Sequence, residues 1–230
     1  MTAKPRALLS WSSGKDSAWA LHVLRQRNDV SVVGLLTTFN QEFARVAMHA
    51  VRQELVVAQA AAVGLSLVAV QLPWPCPNDA YEAAMSAALT AAIADGITHI
   101  AFGDLFLEDI RSYREQKMAE AGLLPMFPLW GMDTAELAQQ MIAAGTRATI
   151  VCVDPAQLEP RLCGRTFDSD LLRELPPGVD RCGERGEFHT FVQDGPAFGR
   201  PVPVAPGEIV ERDGFVFADL LPVESRVVPA

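Results

Sequence analysis

Cysteine is sparse, long apolar runs are missing, and positive charge is in deficit. The chain has 230 residues and four cysteines, Cys76, Cys152, Cys163 and Cys182, with no C-x-x-C pair. That spacing argues against a zinc site or a redox dithiol and makes reduced thiols the default. Cys182, beside a glycine in a polar stretch, is the one thiol to watch, and a structural role is the commoner outcome for it. Nineteen basic residues against 28 acidic ones give a net charge of −9. Such a balance is unsuited to a broad nucleic-acid or anionic-membrane footprint, although a local basic pocket stays open. The apolar runs are too short or interrupted to span a bilayer, and Met1–Arg6 leads straight into an apolar strand without room for a signal peptide. A cytoplasmic protein is expected. Neither an internal repeat nor a low-complexity segment appears.

Half of the residues are apolar and a fifth are charged, an ordinary globular composition. The strongest local signal is Ala7–Leu9 followed by Ser10-Trp11-Ser12-Ser13-Gly14-Lys15-Asp16-Ser17 and the apolar-periodic Ala18–Leu24. An apolar run, a small-residue loop and a helix start make a strand, a tight turn and a helix N-terminus. The first turn offers unpaired N–H groups and the positive end of the helix dipole, so it favours an anion. Ser12, Ser13 and Gly14 leave the backbone open to a phosphate, Lys15 adds a point charge and Ser17 a hydroxyl. The competing reading is an ordinary serine-capped turn. Neither the Walker A pattern nor G-x-G-x-x-G fits.

Further on, strands are expected at 30–38, 65–72, 97–102 and 148–153. Helices are expected at 40–62 (apolar at Val46, Ala50, Leu55 and Ala58), 79–94, 109–121 and 134–144, with an extended segment at 123–130. This alternation predicts an α/β fold, a Rossmann-like open parallel sheet covered on both faces, over residues 1–153. Past residue 154 the rhythm breaks into short segments around Gly and Pro. There a smaller α+β portion, 154–230, is expected, with a short helix at 167–175, strand pieces at 187–191, 208–211 and 215–220, a hairpin turn at Asp213-Gly214 and loose final residues. Ligands of open sheets lie beyond the carboxyl ends of the strands. Hence the Ser12–Ser17 loop, Thr37–Thr38, Pro73–Asn78 and Gly103-Asp104 should converge on one crevice.

Two other constellations carry chemistry. Gly103-Asp104 after a strand places a carboxylate at the crevice, suited to Mg²⁺ or a sugar hydroxyl. Arg111 and Arg114, three apart, can share a helix face and grip phosphate or carboxylate oxygens, or form salt bridges with Glu108 and Glu115 in a solvated face. Asp180-Arg181-Cys182-Gly183-Glu184-Arg185-Gly186-Glu187-Phe188-His189-Thr190-Phe191 can supply acid/base groups or metal ligands from Glu184, Glu187 and His189, or be a charged surface turn.

The first loop resembles the S-G-G-x-D-S pyrophosphate loop of the N-type ATP pyrophosphatases, with Ser13 at the place of the first glycine, a turn that serine preserves if its φ is negative. Together with Gly103-Asp104, Pro128-Leu129-Trp130 and the Gly183–Phe191 string, the chain resembles the diphthine–ammonia ligase (diphthamide synthase) branch of that group. The resemblance implies an adenine nucleotide alpha hydrolase-like fold and ATP and Mg²⁺ as cofactors. It also implies an AMP- and pyrophosphate-forming C–N ligase that adenylates a carboxylate, or amide, oxygen for amidation. By the same resemblance Ser12, Ser13, Gly14, Lys15, Asp16 and Ser17 hold pyrophosphate and Leu36 and Thr37 meet adenine. Gly103, Arg111 and Arg114 join the nucleotide site, Asp16 and Asp104 take metal, and Asp104, Glu184, Glu187 and His189 are catalytic. The partners implied are ATP and AMP, ammonia, and a carboxylate-bearing acceptor that is a protein side chain or a small molecule; a homodimer is left open. Trp11-Ser12-Ser13 and Trp74-Pro75-Cys76-Pro77 depart from the branch and suggest another acceptor. The alternatives are a non-catalytic adenine-nucleotide sensor and a tRNA-modifying enzyme of this loop type, which calls for a basic face or a C-x-x-C pair.

Overall fold

The computed structural model describes residues 4–46 and 51–223. The first strand, β1 (Arg6–Ser10), leads through a loop into α1 (Lys15–Arg27). Next come β2 (Ser31–Asn40), β3 (Arg45–Val46), α2 (Gln53–Val63), β4 (Ser66–Leu72) and α3 (Asn78–Ala94). They are followed by β5 (His99–Ala101), α4 (Glu108–Ala121), β6 (Leu124–Met126) and α5 (Thr134–Ala143). The last part holds β7 (Arg147–Val153), α6 (Ser169–Glu174), β8 (Phe188–Asp194), β9 (Val204–Arg212) and β10 (Phe215–Pro222).

Five strands form a parallel sheet in the order β4-β2-β1-β5-β6. The chain first moves to one side of β1 and later to the other, so the strand order switches between β1 and β5. Their carboxyl ends open the crevice in which such sheets bind ligands. Strand β2 outruns β1, whose last residue pairs with Leu36, and β3 fills the vacated edge antiparallel at Phe39 and Asn40. Alternation along the strands splits the core. Ala7, Leu9, Leu35 and Ala101 join a cluster with α1, α2 and α5, whereas Leu8, Leu36 and Ile100 pack with residues of α3 and α4. Both faces are covered, as the continuous apolar strands require.

The second sheet is antiparallel, β8-β7-β10-β9, and its buried residues Ile150, Phe188, Phe191 and Val216 join the same cluster as α1 and α2. The turn at Asp213-Gly214 has both residues left-handed, at φ 52° and 81°, the form that closes a two-residue hairpin.

Two expectations are corrected here. Residues 148–153, read as the last parallel strand, belong to the antiparallel sheet between β8 and β10. Burial on both faces suits either sheet, so the apolar run alone does not decide between them. The expected helix at 40–62 begins only at Gln53, because β4 pairs with β2 as far as Asn40 and a turn and β3 follow. Ala50 of that expectation and the loose end predicted past residue 223 lie outside the described residues.

Candidate active site

The loop between β1 and α1 is fastened from three directions. The Trp11 amide donates to the Leu36 carbonyl (2.8 Å), and the Thr37 hydroxyl to the Trp11 carbonyl (2.8 Å). Val192 on β8 donates its N–H to the Ser13 carbonyl (2.9 Å), and the Lys15 N–H donates to the Thr190 hydroxyl (3.1 Å). Ser12 and Ser17 hydroxyls are bonded to each other at 3.2 Å, and Ser17 also donates to the Gly14 carbonyl (2.9 Å). The turn does not keep a negative φ at Ser13, which sits at φ +69° with its hydroxyl fully buried and unpartnered. Gly14 caps α1 without a side-chain bond of its own, while its N–H reaches the Ser12 hydroxyl at 3.3 Å and that of Lys15 the Thr190 hydroxyl. An added Cβ on Gly14 meets the Thr190 carbonyl at 3.1 Å.

Facing the loop is a group of carboxylates. Asp16 lies in the first turn of α1, and its Oδ1 is buried without a hydrogen-bond partner. Burial lifts its carboxyl above the ordinary range despite Lys15 beside it. Asp104 follows β5, where Gly103 lets the backbone press against α1: a Cβ on Gly103 falls 3.1 Å from both the Asp16 carbonyl carbon and the Ser17 nitrogen. Arg114 grips Asp104 at 2.7 and 3.1 Å and lies over the Phe102 ring. Burial raises the Asp104 carboxyl; Arg114 opposes this and Asp16 adds to it. Glu184 Oε1 accepts from the Leu105 N–H at 2.7 Å. Burial first, then Asp16 and Asp104, lift Glu184 to about 7, within reach of neutral-pH proton transfer. Among the described residues, no three His, Cys, Asp or Glu side chains form a closed metal cage. Mg²⁺ with a nucleotide needs only one or two carboxylates besides phosphate oxygens and water, so the orphaned Asp16 oxygen beside Asp104 fits that ion.

A cavity of about 610 Å³ opens beyond the carboxyl ends of β1, β2 and β5, between α3 and α4. Ser12, Leu36, Thr37, Phe102, Tyr113 and Arg114 are among its walls. Its size suits a nucleotide or a drug-sized molecule.

Residues 5–125 match the family model for the diphthamide synthase N-terminal domain, and 133–218 that for its C-terminal domain. The chain belongs to the diphthamide synthase family. Curated relatives named diphthine–ammonia ligase include the human protein, 29% identical over 67% of this chain and 60% of its own length. The cattle protein is 31% identical over 54% of this chain and 51% of its own, and the zebrafish one 34% over 49% and 46%. The chain thus spans from just under half to three fifths of the length of these relatives. Among the described residues, no helix is long and apolar enough to cross a membrane.

The structure places Ser12, Leu36, Thr37 and Arg114 in the walls of the cavity, with Asp104 on Arg114 and Glu184 on the neighbouring Leu105 N–H, and turns Lys15, Glu187, Arg111 and His189 elsewhere. The Lys15 side chain, 2% exposed, turns from the cavity to Asp16 (3.0 Å) and the Cys182 carbonyl, 5.3 Å from the Phe167 and Phe188 rings. Burial alone lowers its ammonium; Asp16, Cys182 and Glu184 outweigh it, and the group stays charged. Glu187 is buried with its oxygens on the Asp180 and Arg185 N–H groups (2.8 and 2.9 Å), so it shapes the loop that presents Glu184. Arg111 does not join Arg114: it pairs with Glu115 at 2.7 Å and lies over Trp130 and Phe127. His189 is paired with Cys152 across β7 and lines a second cavity. Cys182 is buried, its thiol on the Thr134 carbonyl and pushed up by burial, which makes it structural.

Sequence reading missed two braces. Gln59, fully buried on α2, accepts from Trp11 Nε1 (2.8 Å) and donates to the Ser13 (3.0 Å) and Val192 (2.6 Å) carbonyls. A glutamine inside an alanine-rich apolar helix was the available signal. The other brace is Thr190, whose place in the Asp180–Phe191 string carries no mark of its bond to the Lys15 N–H.

Proposed function

We propose that this protein is an ATP-dependent, AMP- and pyrophosphate-forming C–N ligase that amidates a carboxylate with ammonia, as the names of its diphthine–ammonia ligase relatives suggest. The observation that carries the reading is the placement of the α1 start and of a 610 Å³ cavity at the switch point of the parallel sheet, with Arg114 in the cavity wall and Asp104 on Arg114.

ATP lies in that cavity with its base near Leu36 and Thr37 and its phosphates toward Ser12–Ser17. The positive end of the α1 dipole stabilises the charge that builds on departing pyrophosphate. With Lys15 turned inward, this task falls to the backbone and to Arg114. Asp16 and Asp104 would hold Mg²⁺, which neutralises phosphate charge when bound. An oxygen of the acceptor carboxylate attacks the α-phosphorus, the bond to the β-phosphate oxygen breaks, and pyrophosphate leaves. Ammonia then attacks the acyl carbon, AMP departs, and Glu184, poised near 7, takes the surplus proton.

The test is turnover of [α-³²P]ATP with Mg²⁺, ammonium and a carboxylate acceptor, resolving AMP from ADP. Acceptor-stimulated AMP supports the reading. ADP as the product contradicts it.

A further inference from the structure

A second cavity, of about 670 Å³, lies between the ends of β2 and β4 and one face of the antiparallel sheet. It is not used by the nucleotide reading, yet it shares the Val46 wall with the first cavity. Its floor is a cross-strand row of Phe217, Cys152 and His189, side by side on β10, β7 and β8. Alternation along β8 puts His189 on the face opposite Phe188, which is in the core.

Two features of this cavity call for an occupant. Around it stand large aromatic side chains left in water: Trp74 is 58% exposed and Phe43 46%, in edge-to-face contact at 5.9 Å, and Phe215 is exposed as well. Rings that size are normally buried unless something else covers them. The lining is also locally basic. Arg45, Arg185 and Arg212 face two carboxylates, Asp154 and Asp213, in a chain whose net charge is −9. Asp219 holds Arg45 at 2.9 Å, and Arg212 lies 3.6 Å from Asp213. Arg185 has the loosest ion pair: its carboxylate neighbour Glu187 is 4.0 Å away and already accepts two backbone N–H bonds, while its guanidinium lies over the Phe106 ring and reaches the Gly178 carbonyl at 3.5 Å. A half-exposed guanidinium beside an aromatic wall recognises a molecule with an anionic end and an apolar body.

The position ties this cavity to the reaction. Arg185 directly follows Glu184, whose carboxylate is bonded to Leu105 beside Asp104, so the loop that lines this cavity also carries the candidate base. We infer that the second cavity seats the acceptor, and that the acceptor is an amphipathic carboxylate. Its apolar chain or ring packs on Trp74, Phe43 and Phe217, and its anionic end faces Arg185. This assignment rests on the ligase reading, and it names a small molecule in preference to a protein side chain because the volume lies in the small-molecule range.

The experiment uses the full chain and 4-phenylbutyrate as probe, with uncharged 4-phenylbutyramide as control, followed by ligand-observed NMR titration. Wild type should bind the carboxylate at least ten-fold more tightly than the amide. Trp74→Ala and Arg185→Gln should each weaken carboxylate binding at least ten-fold. Both side chains are more than half exposed, so neither change threatens the fold. Retention of radiolabelled ATP should be unchanged in both variants. Equal binding of acid and amide, or binding that neither variant weakens, overturns the cavity assignment and leaves the ligase reading standing. Site-dependent carboxylate binding in a protein that never retains ATP overturns the ligase reading, and with it the name of acceptor. Binding of a carboxylate-bearing protein side chain that Trp74→Ala and Arg185→Gln abolish, with no binding of 4-phenylbutyrate, overturns the small-molecule choice.

Discussion

The Lys15 backbone N–H donates to the hydroxyl of Thr190, 175 residues later and 3.1 Å away. Through it the start of α1 is positioned by β8, so the second sheet sets the shape of the Ser12–Ser17 loop carried by the first. Thr190→Val keeps the side-chain volume and removes the acceptor. Leaving a buried N–H unpaired costs about 1–3 kcal/mol. The expected outcome is a loss of that size in urea denaturation, with a raised KM for ATP and a smaller change in kcat. Unchanged ATP affinity with lowered stability would reduce Thr190 to a structural brace.

Ser13 holds φ +69° with a buried, unpartnered hydroxyl. A left-handed non-glycine residue costs about 1–2 kcal/mol, partly offset by the entropy of glycine in the unfolded chain. Ser13→Gly should therefore stabilise the protein by about 0.5–1 kcal/mol, read as a raised urea midpoint at unchanged slope. ATP binding should be kept or improved. A lowered midpoint contradicts the strain assignment.

Gly103 touches the backbone of α1, with Asp16 and Ser17 atoms 3.1 Å from the place of a Cβ. Neither partner is a flexible side chain, so Gly103→Ala must move the β5 loop or α1. Overpacking of this kind costs about 1–3 kcal/mol, and because it displaces Asp16 and Asp104 together, ATP-dependent activity should fall more steeply than stability. Equal losses in a thermal melt and a rate assay would contradict this.

Glu184 has its carboxyl raised to about 7, chiefly by burial and then by Asp16 and Asp104. In the proposed role of base it must be deprotonated, so the rate should rise with pH through about 7. Glu184→Gln should lower the rate about 10²-fold or more and flatten that limb. The stability effect has the opposite direction. Between the ordinary 4.5 and about 7 the folded state keeps a proton that the unfolded state releases, so this group's contribution falls as pH rises and levels off above 7. A melting-temperature series of wild type against Glu184→Gln over pH 4–8 checks the sign.

Much of the nucleotide side was legible because its chemistry is local. The run from Ala7 to Leu24 states strand, loop and helix in consecutive residues, and Gly103-Asp104 follows its strand directly. What sequence did not disclose is where side chains go once packing is complete. Lys15 looks like a phosphate contact until Phe167, Phe188 and the Cys182 carbonyl enclose it. Glu187 looks like Glu184, but the 180–187 loop closes on its oxygens while Glu184 reaches Leu105. The sheet membership of β7 was equally hidden, since an apolar strand carries no mark of its partners and β8 and β10 lie tens of residues downstream.

The claim at the centre of this account is that the acceptor carboxylate is adenylated before ammonia enters. Exchange of [³²P]pyrophosphate into ATP, measured with Mg²⁺ and acceptor but no ammonium, tests it most directly. Acceptor-dependent exchange that is lost in Asp16→Ala and retained in Glu184→Gln is the predicted result, because Glu184 acts only on the ammonia step. Turnover with acceptor and ammonium that yields AMP but never supports exchange in the absence of ammonium would contradict the adenylate.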